Sequence, residues 1–129
     1  MKTKLLLIAM ALAITGSAFA NTQPIPRHIM DKAVQNYKVC LESRNEGVRT
    51  SALYQLAKIK SAYPQLDLTA LEKNVSNLAK NDKSPLVRVN ASITKAILTN
   101  ELPTGQIETS NNDPDEYFGD YYKNIIENK

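Results

Sequence analysis

The chain's 129 residues, or 109 once an N-terminal leader is removed, make one small domain with a single core. One cysteine, Cys40, excludes an intramolecular disulfide, and one histidine, His28, leaves too few ligands for a zinc site. The net charge of +3 falls to +1 without the leader, and what remains is split between a basic body and an acidic tail.

Lys2 and Lys4 precede an apolar run from Leu5 to Ile14, and Gly16-Ser17-Ala18-Phe19-Ala20 places small residues at the −3 and −1 positions of a cleavage site. This is the layout of a secretory signal peptide over residues 1–20, with cleavage expected after Ala20. Thr15 to Ser17 breaks the apolar run short of the roughly 20 residues that span a bilayer. The expected location is therefore the periplasm or the exterior, with no stable membrane insertion after cleavage.

A lead-in at residues 21–27 contains Pro24 and Pro26. Met30, Val34, Tyr37 and Leu41 then recur at helical spacing, and Cys40 reads as a small hydrophobe on that buried stripe. Asn45 is a suitable cap for a second helix with the stripe Val48, Ala52, Leu56, Ile59 and Tyr63, stopped by Pro64. Asp67 is the expected cap of a third, carrying Leu68, Leu71, Val75 and Leu78. Ser84-Pro85 opens a fourth, with Val87, Ala91, Ile93, Ile97 and Leu98. Leu86, Val89 and Ala96 widen that fourth stripe, which predicts a deeply buried helix. Strand patterning and hairpin dipeptides are weak throughout.

Residues 21–100 hold twelve basic and six acidic side chains, whereas 101–129 hold two and seven. The acidic segment includes Asn111-Asn112-Asp113-Pro114-Asp115-Glu116, which fails the EF-hand pattern because Glu116 stands where glycine is needed and Tyr122 where the final glutamate is needed. Tyr117, Phe118, Tyr121 and Tyr122 follow, then Ile125 and Ile126, with Phe118, Tyr122 and an isoleucine on one helical face. Two readings stay open: a fifth helix docking over the open end of the preceding helices, or a partner-binding segment.

The second and fourth helices align with a shift of 39 residues, matching Asn45 to Ser84, Val48-Arg49 to Val87-Arg88, and Ala52 to Ala91. Asp82-Lys83-Ser84-Pro85-Leu86-Val87-Arg88-Val89-Asn90-Ala91 resembles the turn and second-helix start of a HEAT repeat, and 39 lies near the spacing of helical-pair solenoids. The first copy departs from the pattern at Ser43 and Glu46. The resemblance implies an all-α fold over residues 28–100: two HEAT-like hairpins, about four helices, stacked as a short right-handed solenoid, with residues 101–129 adding a linker and a C-terminal helix. An unrelated four-helix bundle is the alternative. The resemblance also implies a structural ladder role for Arg49, Asp82 and Arg88, with Asp82 as the partner of Arg49.

No sequence motif carries catalysis. His28 and Cys40 lie about 18 Å apart along one helix, too far for a nucleophile and its base, and no catalytic, cofactor-binding or metal-ligating set is read. The lysines are scattered along the chain without interleaved aromatics, which argues against nucleic acid. The expectation is a non-enzymatic, exported protein-interaction module whose partner is another exported protein. The alternative is an assembly factor that forms a homodimer through an uncapped end of the helical stack.

Overall fold

The structure, a computed structural model, describes residues 24–102 and 112–128. The signal peptide expected at 1–20 and most of the linker after Leu102 lie outside the described residues. Among the described residues there are five helices and no strand: α1 Arg27–Leu41, α2 Glu46–Ala62, α3 Thr69–Asn81, α4 Pro85–Leu98 and α5 Pro114–Glu127. The chain divides into two units, residues 1–30 and 31–129. Of the first, residues 24–30 are the Pro-containing lead-in and the opening turn of α1.

Local chemistry sets most helix ends. Asn45 Oδ1 accepts the Val48 N–H at 3.3 Å, and Ser84 Oγ accepts the Val87 N–H at 3.4 Å with Pro85 in the first helical position. Asp113 accepts the Asp115 N–H ahead of Pro114 in the same way. Helix α3 differs from expectation, because Leu68 holds its cap position without a side-chain bond. Asp67 acts one residue earlier, accepting the Thr69 N–H and hydroxyl, and these bonds hold its carboxyl below the usual value. Helix α4 closes on Asn100 at φ 58°, a left-handed residue that lets the Glu101 and Leu102 N–H groups reach the Ala96 carbonyl.

Ser84 is the more demanding of the two matched caps, since its buried hydroxyl also donates to Glu46 at 3.0 Å. Ser84→Ala is expected to cost about 1–2 kcal/mol and Asn45→Ala about 0.5–1 kcal/mol, read by thermal melting. Equal losses would show that the Glu46 bond contributes nothing.

Helix α4 is the centre of the packing, lying against α2, α3 and α5, and α5 also meets α2. Helix α3 buries Leu71, Val75 and Leu78, with Leu68 just before it, as its spacing predicts. The other stripes need correction. In α4, Leu86 and Val89 remain 49% and 40% exposed, while polar Asn90 and Thr94 are buried. Thr94 is tolerated there because its hydroxyl donates to the Leu53 carbonyl at 3.3 Å across the α2 contact. Helix α2 is met by both α4 and α5, so its buried arc is broad: Leu53, Tyr54, Leu56 and Ala57 are inside, while Val48, Ile59 and Tyr63 are at least partly exposed. In α1 only Leu41 is buried. Val34, Tyr37 and Cys40 stay half-exposed, so Cys40 is not a core residue.

Candidate functional site

The one buried ion pair among the described residues joins the start of α2 to the α3–α4 turn. Arg49 Nε donates to Asp82 Oδ2 at 2.7 Å and Nη2 to Oδ1 at 3.0 Å, with the two side chains 6% and 4% exposed. The remaining nitrogen, Nη1, donates to the Ser43 carbonyl at 3.0 Å, and the Ser84 N–H donates to Asp82 Oδ1 at 2.9 Å. Burial alone pushes the Asp82 carboxyl up, but the Arg49 and Ser84 hydrogen bonds and the nearby positive charges outweigh it, so the net shift is downward. Arg88 Nη1 donates to the Asp82 carbonyl at 2.6 Å, six residues back, as Arg49 does to Ser43. Unlike Arg49, Arg88 has no carboxylate partner among the described residues.

The 39-residue correspondence also orders burial. Val87, Asn90, Ala91, Thr94 and Ile97 are fully buried in α4. Their counterparts in α2 are Val48, Ser51, Ala52, Gln55 and Lys58, and of these only Ala52 is buried, with Val48 at 38% exposure. That α2 face opens into a mainly apolar groove of about 460 Å³, walled on the other side by Tyr37 and Cys40 of α1. Partial burial raises the Tyr37 phenol, with the adjacent Cys40 thiol adding to the effect.

The four aromatic residues read as a tentative partner-binding set are divided by the structure. Tyr117, Phe118 and Tyr121 are buried, and only Tyr122, at 52% exposure, is on the surface. Tyr117 is the hub: its ring meets Tyr54 of α2 edge-on at 5.1 Å, Phe118 at 5.3 Å and Tyr121 at 5.1 Å. The inward line of α5 is therefore Tyr117, Tyr121 and half-buried Ile125 with Phe118, not the face through Tyr122. The helix lies across α2 and α4 together, which buries Tyr117, Phe118 and Tyr121.

A second groove, of about 960 Å³, lies between the α1–α2 turn and α3, with the Arg49–Asp82 pair in its wall. Lys38, Arg44, Lys73 and Lys83 line it. Linear reading missed this site because the four cations come from separate elements, and only the turn geometry gathers them. His28, at the start of α1, is exposed, and no group of three or more His, Cys, Asp or Glu able to hold a metal occurs among the described residues. None of the helices described is long and apolar enough to cross a membrane. Compared with known protein families, with characterised proteins and with solved structures, the chain matches none.

Proposed function

We propose that the chain is an exported, non-enzymatic protein-interaction module built from two HEAT-like helical hairpins. The observation that carries this reading is the recurrence, 39 residues apart, of one local construction. An Asn or Ser cap is followed by Val-Arg, and the arginine donates to the carbonyl six residues earlier. Arg49–Asp82 is then a rung between successive turns, and Arg88 is the next rung, with no acid to meet among the described residues. Export rests on the charge, apolar and small-residue pattern of residues 1–20. Of the grooves left open with α5 laid over α2 and α4, the two described above are the surfaces this reading assigns to a partner; a smaller one of about 430 Å³ lies between α4 and α5 at Leu86, Val89 and Tyr122.

Placing a photo-crosslinking residue at Gln55, at Asn77 and at exposed Lys80 in the exported protein tests the module reading. A single adduct of defined mass at Gln55 or Asn77, absent at Lys80, is the expected result; no adduct at either groove position would sink it. The runner-up, a homodimer, is favoured by one observation: the α4 face equivalent to Val48, Ser51 and Gln55 is already buried within the same chain, where Thr94 bonds to Leu53 of α2. A second copy seated on that α2 face would yield an adduct of twice the chain mass at Gln55, lost on Val48→Asp.

A further inference from the structure

We infer that the groove between the α1–α2 turn and α3 binds an extended acidic segment of a partner protein. The inference rests on the interaction-module reading and specifies a surface and a partner chemistry for it. Lys38, Arg44, Lys73 and Lys83 converge on this groove, and none of them forms a salt bridge among the described residues. Among the described residues only two carboxylates share the lining. Asp82 is engaged by Arg49, and Glu42 accepts the Asn74 amide at 3.1 Å. The excess is positive, and a groove lined by one sign of charge concentrates its potential on the ligand.

The rest of the lining selects among anions. Leu41 and Leu78 form an apolar floor between the cations, nearly all of it covered at 1% and 8% exposure. Asn74, Asn77 and Asn81 follow one another at helical spacing along α3; Asn74 donates one N–H to Glu42 and Asn81 one to Asn77 Oδ1 at 2.8 Å, which leaves each carboxamide at least one N–H and further acceptor capacity for a peptide backbone. From Asn74 to Asn81 is about 10 Å of helix, the reach of about three extended residues. Among the described residues no aromatic side chain lines the groove, so they supply no stacking platform of the kind on which single-stranded nucleic acid is held. A strand of alternating carboxylate and small apolar side chains matches every component.

The test is fluorescence anisotropy of the exported protein with a labelled twelve-residue peptide alternating Glu with Ala or Leu. Saturable binding is expected that weakens at least about tenfold in the Lys73→Glu, Lys83→Glu double variant, and again between about 50 and 300 mM salt. Should charge reversal disturb folding, the Lys→Gln pair and the side-chain amide NMR signals of Asn74, Asn77 and Asn81 give the same reading, with shifts confined to these residues expected. Absence of binding, or an affinity unchanged in the variants, overturns the proposal. An oligothymidylate or polyuronate of equal charge that binds this groove as well as the peptide also overturns it, because charge alone is then recognised. Self-association at low salt, abolished by the same variants, would assign the groove to a second copy, whose α5 exposes Asp115, Glu116 and Asp120. A Gln55 adduct that persists while peptide binding fails leaves the module reading intact and removes only this surface.

Discussion

Replacing Arg49 with methionine is expected to destabilise the fold by about 3–5 kcal/mol, because it leaves the Asp82 carboxylate buried with one charged partner gone. For a domain of this size that is a fall in melting temperature of more than about 10 °C, followed by circular dichroism at neutral pH. Arg49→Lys should rescue little of the loss, since one ammonium cannot reproduce a fork onto Asp82 together with the bond to Ser43. Arg88→Met, which removes a carbonyl contact without stranding a carboxylate, should cost about 1 kcal/mol. A loss below about 1 kcal/mol for Arg49→Met would mean that water screens the pair and that it does not clamp the turns together.

The same pair sets an acid limit. The folded Asp82 carboxyl lies below its unfolded value, so its contribution to stability is fully present above the unfolded value near 4 and is lost as pH falls through the lowered folded one. Asp82→Asn should therefore be less stable at neutral pH and show a flatter decline below about pH 4. A variant that keeps the wild-type acid slope would place that titration on another carboxylate.

The second large effect is at Tyr117. Tyr117→Ala is expected to cost about 3–5 kcal/mol, because it empties the centre of the aromatic cluster that holds α5 onto α2 and α4. Hydrogen exchange should show α5 opening well before α2 and α4. Tyr117→Phe should stay within about 1 kcal/mol of the parent, since among the described residues the buried Tyr117 hydroxyl faces those of Ser61 and Tyr121 without reaching good hydrogen-bonding geometry. Burial holds the Tyr117 phenol well above its ordinary value. The stability it confers is present below the unfolded value near 10 and declines as pH rises beyond it. The Phe variant should resist that alkaline loss. If Tyr117→Ala leaves α5 exchange unchanged, the helix is held by other contacts, and Tyr121 and Phe118 become the residues to replace.

Much of the helical order was legible in local chemistry. Asn45, Ser84 and Pro85 announce the starts of α2 and α4 because a side-chain acceptor and a fixed φ act within one turn, whatever lies beyond. The HEAT resemblance implied Asp82 as the partner of Arg49, and the two side chains do meet, although the 39-residue match alone does not carry the pairing because the first copy has Ser43 where the second has Asp82. Leu68, Leu71, Val75 and Leu78 were readable for a related reason: α3 packs chiefly against α4, so one stripe is enough.

Where a helix meets several neighbours, or none closely, periodicity does not specify which side is covered. Asn90 and Thr94 enter the core while Leu86 and Val89 stay partly exposed, because the orientation of α4 is settled jointly by α2, α3 and α5. Cys40 sits on a sound helical stripe, yet it is half-exposed because no described element covers that part of α1 closely. The sequence by itself determined the first four helices and the caps Asn45 and Ser84, which follow from short-range chemistry, whereas the Arg49–Asp82 pairing was implied only by the HEAT resemblance and joins two turns that the fold brings together. Only the tertiary structure decided that Tyr117 and Tyr121 turn inward, and that four cations from separate elements share one groove, because side chains far apart in the chain converge through packing that no local pattern encodes.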